Sequence, residues 1–217
     1  MKVTLSDREG FAAFLLRARG AGYGDARLFS AIEATPRRGF VPPQHADIAY
    51  GARSIPIDCG ETIEGIDLQA RMLAALNVHP NHRVLEIGTG SGYTAAVLGR
   101  LAGRVVSIDR YRRLIEAARM RVEQLDLKSV MIRQDDATAL DTSIGTFDRV
   151  ISWGAFETLP RSFVDLMSSQ GLMITPIGAS ETVQRIALLA KVGSRFERSD
   201  VGVGRFQLLA GGLPAVL

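Results

Sequence analysis

Apolar residues recur every three or four positions in the first 80 residues, which is the spacing of helices that bury one face. Ser6 and Glu9 have the spacing of a capping box, so we expect the first helix to begin there. Residues 39–65 are instead rich in glycine and proline, and a loop of this length is usually functional. The predicted helices run from Ser6 to about Arg19, from Asp25 to Thr35 and from Asp67 to Leu76.

Beyond residue 80, short apolar runs alternate with segments of helical spacing, which is typical of βαβ units and a parallel sheet. The last two runs read as an antiparallel pair, and the pattern does not fix their place in the sheet. We therefore expect an α/β fold with a mostly parallel central sheet, helices on both faces and an N-terminal helical extension, divided as 1–80 and 81–217. The predicted strands are 83–87, 105–108, 130–132, 147–152, 172–177, 183–192 and 196–203, with helices over 95–101 and 111–125 and another opening at Pro160.

The composition is that of a soluble globular protein, with 47% hydrophobic and 23% charged residues. No apolar run approaches the ~20 residues of a membrane span, and the N-terminus lacks the apolar core of a signal peptide. Cys59 is the only cysteine, which fits a reducing compartment, so we expect a cytoplasmic protein. The histidines show no ligand spacing, so no metal site is predicted.

The net charge of +3 indicates acidic partners only weakly. Arginines cluster on the predicted helix over 111–125, but Glu116 and Glu123 balance them and no aromatic residues are interleaved to stack on bases. We interpret the cluster as a solvated helix face, and nucleic acid is not an expected partner. These arginines are Arg110, Arg112, Arg113, Arg119 and Arg121.

Three glycines, Gly88, Gly90 and Gly92, lie between the first predicted strand of the sheet and its helix. Glycines here let the backbone approach a ligand at the carboxyl ends of the strands, which suits a nucleotide-like cofactor. The dinucleotide fingerprint G-x-G-x-x-G would need a glycine at position 93, where Tyr93 stands. An NAD-dependent oxidoreductase is therefore a disfavoured alternative.

Carboxylates lie at or near the ends of three predicted strands. Glu86 is an acidic residue in a buried strand, which is costly unless it is hydrogen-bonded or paired with a cation. S-adenosylmethionine supplies an ammonium and a sulfonium, whereas the phosphates of NAD would be repelled. Asp109 is placed to accept ribose hydroxyls, although it could instead cap the following helix. Asp135 and Asp136 are candidates for binding an adenine amino group, or for turn residues.

The glycine turn and several other blocks resemble the protein-L-isoaspartate O-methyltransferase family over nearly the whole chain. The turn of the family, V-L-E-I-G-T-G-S-G-Y, is matched by Val84 to Tyr93. Further blocks that match are Pro36 to Pro42, Gly60 to Ile63, Ala70 to Met72, Phe147-Asp148, Leu159-Pro160, Pro176 to Gly178 and Arg205-Phe206.

The resemblance implies a Rossmann-like class I methyltransferase fold and S-adenosyl-L-methionine as the cofactor. It also implies methyl esterification of L-isoaspartyl carboxylates, which initiates protein repair, so that isoaspartyl-containing proteins or peptides would be the partners. The cofactor contacts that it implies are Thr62, Glu86, Gly88, Thr89, Gly90, Gly92, Asp109, Arg110, Asp136 and Ala137.

The chain departs from the family pattern on the acceptor side, where Glu64 replaces a serine. Thr62 and Glu64 are the candidate catalytic residues. An ionised Glu64 about 4 Å from a carboxylate acceptor would repel it by about 4 kcal/mol at an effective dielectric of 20. Glu64 could instead be protonated, turn outward, or act as general base for a hydroxyl or amine acceptor. A binding protein that has lost transfer is a further alternative. The other departures are Ile66, Asp67, Leu208 and the segment from Trp153 to Glu157.

Overall fold

The computed structural model describes residues 1–214 of the chain. The α-helices in this range are α1 (Leu5–Gly20), α2 (Ala26–Glu33), α3 (Ile66–Leu76), α4 (Tyr93–Leu101) and α5 (Arg112–Glu123). The strands are β1 (Ile55–Pro56), β2 (Thr62–Ile63), β3 (Arg83–Ile87), β4 (Arg104–Asp109), β5 (Val130–Gln134), β6 (Phe147–Ser152), β7 (Met167–Ile177), β8 (Gln184–Val192) and β9 (Arg195–Gly204).

Seven strands form one mixed sheet in the order β5-β4-β3-β6-β7-β8-β9. The first five strands in that order pair in parallel, and β8 and β9 add antiparallel strands at one edge. The chain moves outward from β3 through β4 to β5 and then returns to the other side of β3 with β6. This reversal of direction creates a crevice at the carboxyl ends of β3 and β6, where ligands of open α/β sheets bind. The predicted α/β sheet is confirmed.

The two faces of the sheet bury separate clusters of apolar side chains. Neighbouring residues of β3 show the division, since Val84 packs into one cluster and Leu85 into the other. The cluster of Val84 also contains residues from all five α-helices, such as Phe14 and Leu98. The N-terminal helices therefore share a continuous core with the sheet. Phe163 lies in the opposite cluster, which is covered in part by short 3-10 helices.

The observed helix starts differ slightly from the predicted ones, and at the first helix a side-chain cap explains the difference. The first helix begins at Leu5, because Thr4 rather than Ser6 is the cap: the Thr4 hydroxyl accepts the Asp7 amide at 3.2 Å and the Asp7 carboxylate accepts the Thr4 amide at 3.1 Å. α3 begins at Ile66 and α5 at Arg112, each within one residue of the predicted position. Such shifts are usual at helix ends.

The prediction of a helix that begins at Pro160 is wrong. The chain makes only a 3-10 helix there, Arg161–Val164, before β7 begins at Met167. Phe163 is fully buried from this single turn and packs edge-on against Phe156, with ring centroids 5.2 Å apart. Because β7 begins at Met167 rather than at the predicted residue 172, only a single turn fits between Pro160 and the strand.

The loop predicted over residues 39–65 contains short 3-10 helices and two short strands. It includes 3-10 helices at Arg37–Phe40, Pro43–Ile48 and Asp58–Gly60, and a two-stranded antiparallel sheet of β1 and β2. In that small sheet Ile55 pairs with Ile63, and both side chains are buried. This packing holds the segment against the main sheet and fixes its position beside the glycine turn.

Substitution of Gly92 tests how tightly α4 and α5 pack. Its φ is +84°, and a Cβ there would lie 2.9 Å from the Cβ of Ala118. Gly22 is a matched control, since its φ is +73° and the space around it is open. We expect Gly22→Ala to lower the free energy of unfolding by ~1 kcal/mol through backbone strain alone. Gly92→Ala should lose ~3 kcal/mol, because the overlap with α5 is added.

Urea unfolding of the two variants measures the difference directly. Equal losses would contradict the claim that Gly92 is required for the contact between α4 and α5.

Candidate functional site

A cleft of about 930 Å³, counting its open mouth, lies at the carboxyl ends of β3, β4 and β6. Its walls come mainly from six segments of the chain. These are the segment around β2, the glycine turn after β3, the ends of β4 and β5, and the residues after β6 together with the C-terminal segment at 207–210. The cleft thus lies at the reversal point that the sheet topology creates.

The glycine turn forms the base of the cleft. Gly88 and Gly90 have φ of +86° and +52°, a region that other residues adopt only with strain. A Cβ on Gly90 would lie 3.2 Å from the side chain of Ile63, so glycine also allows β2 to approach. The amides of Gly88 and Thr89 both donate to the Ile108 carbonyl, at 2.9 and 3.0 Å. The backbone of the turn is therefore held in place by the end of β4.

Asp109 joins the end of β4 to this turn. Its carboxylate accepts the Gly90 amide at 2.9 Å and the Tyr111 amide at 3.1 Å. The side chain lines the cleft although Asp109 is only 9% exposed, and burial raises its pKa. Because Tyr111 stays outside α5, Asp109 does not cap a helix that begins at Arg110. It is a carboxylate with spare acceptor capacity at the cleft.

Glu86 lies behind the cleft wall rather than on it. It is fully buried, and its oxygens accept hydrogen bonds from the Ser107 hydroxyl at 2.6 Å and the Trp153 indole N–H at 2.9 Å. Burial raises the pKa of Glu86 to about 7, against the opposing effect of these hydrogen bonds. Glu86 is not among the residues that line the cleft, and its direct contact with a cationic ligand, expected from the sequence, stays a prediction.

The other predicted cofactor contacts fall into two groups, those that line the cleft and those that do not. Those that line the cleft are Thr62, Gly88, Thr89, Gly90, Asp109, Arg110 and Ala137. Gly92 and Asp136 do not line it: Gly92 packs on Ala118, and the Asp136 carboxylate accepts the amides of Thr138 at 2.8 Å and Gly212 at 2.6 Å. Asp135, the neighbouring carboxylate, lines the cleft and pairs with Arg133 at 2.6 Å.

Glu64 and Thr62 line the side of the cleft formed by β2 and the residues after it. Burial raises the pKa of the Glu64 carboxyl to about 7, and the positive charge of Arg37 acts in the opposite direction. The other acceptor-side departures differ in position. Ile66 is fully buried and Asp67 accepts two hydrogen bonds from Arg17, at 3.1 and 2.8 Å, so neither lines the cleft.

Arg37 is a fully buried arginine that our sequence analysis missed as a site residue. Its guanidinium donates to the carbonyls of Ala49 at 2.6 Å and Glu64 at 2.7 Å, and to the side chain of Gln69. It also lies 4.4 Å from the centre of the Tyr93 ring. Arg37 therefore holds the backbone of Glu64 in place. The sequence signal that could have identified Arg37 is its position in the block Pro36 to Pro42, which matches the family pattern.

Gln207 is a second residue that the sequence analysis missed. Its side-chain oxygen accepts the Thr62 amide at 3.2 Å, and its side-chain nitrogen donates to the Gly60 carbonyl at 3.3 Å. The Gln207 carbonyl accepts the Ala155 amide at 2.8 Å. Gln207 thus connects the segment around β2 to the residues after β6 across the cleft. Leu208, another departure from the family pattern, lines the cleft beside it.

Within residues 1–214 no group of three or more histidine, cysteine, aspartate or glutamate side chains could hold a metal ion. In the same range, no helix has the length and apolar character needed to cross a membrane.

Comparison with solved structures identifies the fold class. A Plasmodium falciparum protein assigned as a protein-L-isoaspartate O-methyltransferase, solved in complex with S-adenosyl-L-homocysteine, superposes with a TM-score of 0.80 at 20% identity, covering 91% of this chain and 97% of that one. Another solved protein-L-isoaspartate O-methyltransferase gives 0.81 at 23% identity, covering 95% of this chain and 67% of that one. The fold is that of the class I methyltransferases.

Sequence comparison identifies the family. The model of the family "Protein-L-isoaspartate(D-aspartate) O-methyltransferase (PCMT)" matches residues 13–211. The protein-L-isoaspartate O-methyltransferase of Rhizobium meliloti (strain 1021) is 46% identical over 186 residues, 86% of this chain and 91% of that protein. That of Azorhizobium caulinodans is 40% identical over 212 residues, 98% of each chain. The chain belongs to the protein-L-isoaspartate O-methyltransferase family, which confirms the resemblance seen in its motifs.

The buried Glu86 predicts a pH dependence of stability. The unfolded chain releases this proton near the ordinary value of 4.5, whereas the folded chain keeps it until about pH 7. Ionisation therefore removes stability as the pH rises from 4.5 to 7. Glu86→Gln cannot ionise, so its free energy of unfolding relative to the wild type should rise by ~3 kcal/mol over that interval.

Urea unfolding at a series of pH values measures this change, with Glu123→Gln on the exposed face of α5 as the control. A constant difference between Glu86→Gln and the wild type would show that Glu86 is already ionised in the folded protein.

Proposed function

We propose that this protein is an S-adenosyl-L-methionine-dependent methyltransferase that methyl-esterifies the carboxylate of L-isoaspartyl residues in damaged proteins. The observation that carries the proposal is family membership along residues 13–211, combined with the cleft at the strand ends. The Plasmodium falciparum structure, which contains S-adenosyl-L-homocysteine, supports the choice of cofactor. Isoaspartyl-containing proteins or peptides are the proposed partners, and the cytoplasm, where a chain with one cysteine stays reduced, is the proposed location.

The residues of the cleft fit an adenosyl cofactor. Asp109 offers carboxylate oxygens to hydroxyl groups, and the left-handed turn at Gly88 and Gly90 leaves room for close approach. Two buried polar atoms of cleft residues, the Ser91 hydroxyl and the Arg110 Nε, have no hydrogen-bond partner in residues 1–214. Buried polar groups are normally satisfied, so these two atoms point to a polar ligand.

The predicted cofactor residues take two kinds of role in this proposal. Those on the cleft wall contact the cofactor: Thr62, Gly88, Thr89, Gly90, Asp109, Arg110 and Ala137. Glu86, Gly92 and Asp136 act through other groups. Glu86 orients Ser107 and Trp153, Gly92 lets α4 pack on α5, and Asp136 holds the C-terminal segment at Gly212.

When bound, the cofactor supplies a methyl group activated by its sulfonium. The chain has to position the acceptor oxygen and exclude water, because a carboxylate is already ionised at neutral pH and needs no general base. Thr62 and Glu64 face the acceptor from the side of β2. Gln207 holds Thr62 across the cleft, so the C-terminal segment helps to close the site.

Transfer to an isoaspartyl peptide tests the acceptor. With S-adenosyl-L-methionine labelled in its methyl group, we expect base-labile label in a peptide containing L-isoaspartate and none in the same peptide containing L-aspartate. Equal labelling of both peptides, or label only in a hydroxyl or amine acceptor, would contradict the proposed acceptor. Binding of the cofactor with no transfer to any acceptor would indicate a protein that has lost catalysis.

Asp109 should be required for cofactor affinity. Asp109→Asn keeps the size of the side chain but removes the charge that attracts hydroxyl donors. The Kd of S-adenosyl-L-homocysteine should therefore rise, with a loss of binding free energy of about 1–3 kcal/mol. Calorimetry measures the Kd, and Asp200→Asn, an exposed carboxylate on β9, is the control. A Kd equal to that of the wild type would exclude Asp109 from the binding site.

A further inference from the structure

Glu64 presents a carboxyl group to the acceptor side of the cleft, and the following inference rests on the proposed function. The side chain lines the cleft close to Thr62 in sequence. The Glu64 carbonyl accepts a hydrogen bond of 2.7 Å from the buried Arg37, which holds the backbone of Glu64 at this wall. Glu64 thus lies at the wall that an acceptor carboxylate would meet.

No described cationic side chain forms a salt bridge with Glu64. Arg37 packs below it, but the guanidinium of Arg37 is used by the Ala49 and Glu64 carbonyls, the Gln69 side chain and the face of Tyr93. Glu61, on the same segment, carries a like charge. The charged and titratable groups across the cleft are Asp109, Arg110, Tyr111 and Asp135.

An ionised Glu64 would repel an isoaspartyl carboxylate at this wall, whereas a neutral Glu64 has an O–H that can donate to it. We propose that Glu64 binds the isoaspartyl carboxylate as a neutral carboxylic acid, through a hydrogen bond from its own O–H, and so makes acceptor binding depend on pH. Glu64 is thereby a specificity-determining residue of this chain. No proton leaves Glu64 during transfer, because the acceptor oxygen is already ionised.

The partial burial of Glu64 at the cleft wall supports the neutral form. Burial raises the pKa of its carboxyl to about 7, so that the acid form is present below neutral pH and is lost above it. The isoaspartyl carboxyl ionises near the ordinary carboxylate value, well below this range. Only Glu64 of this pair therefore changes charge between pH 6 and 9.

Steady-state kinetics from pH 6 to 9 test the inference, with an isoaspartyl peptide that has blocked termini and no histidine or cysteine. For the wild type, we expect the KM for the peptide to rise about tenfold per pH unit above pH 7, while kcat changes little. Glu64→Gln keeps an N–H donor at every pH, so its KM should stay flat. Glu64→Ser, which keeps an O–H donor, should also give a flat KM and serves if the glutamine variant does not fold.

Glu123→Gln, on the exposed face of α5, is the control, because it removes a carboxyl that does not line the cleft and should keep the pH profile of the wild type. The Kd of S-adenosyl-L-homocysteine, measured in parallel, should not differ between Glu64→Gln and the wild type. A flat KM in the wild type, or the same rise in Glu64→Gln, would overturn the assignment of Glu64 while methylation itself stands. Absence of peptide methylation at every pH, with the cofactor bound, would overturn the proposed acceptor and this inference together.

Discussion

The hydrogen bond from the Gly90 amide to the Asp109 carboxylate connects the glycine turn to the neighbouring strand, and the arrangement of the cleft depends on it. β3 and β4 run in register, with Ile87 opposite Ile108, so the two strands end at the same level. The Ile108 carbonyl then accepts two amides of the turn. A turn fixed by both backbone and side chain presents its ligand-facing atoms without reorganisation, which lowers the entropic cost of binding.

The acceptor side depends on a different constraint, the burial of Arg37. A buried guanidinium is costly unless its donors are satisfied, and carbonyl groups of Ala49 and Glu64 satisfy it here together with Gln69. The same residue donates its backbone amide to Tyr50, whose hydroxyl donates to Asp7. A polar network therefore runs from the first helical turn of the chain to the cleft wall. The N-terminal extension is part of the site and not only a cover.

Sequence reasoning predicted the features that depend on local pattern. The alternation of apolar runs is a local pattern, so the strands of the main sheet were found. The glycine turn was found because its left-handed backbone conformation requires glycine at positions close together in the sequence. The partners of Glu86 could not be found in this way, since Ser107 lies on β4 and Trp153 directly follows β6. Arg37 and Gln207 were missed for the same reason. The helix expected at Pro160 failed because β7 begins at Met167, earlier than its apolar run indicated, and leaves room for only a 3-10 turn. The division at residue 80 stays a prediction.

A crystal structure of the protein with S-adenosyl-L-homocysteine tests the central claim most directly. The account predicts that the ribose hydroxyls lie within hydrogen-bond distance of the Asp109 carboxylate, with the adenine near Ala137 and the amino-acid end beside Gly88 and Gly90. It also predicts that Glu86 keeps its contacts with Ser107 and Trp153. A ligand bound outside this cleft, or one whose ribose does not contact Asp109, would contradict the account.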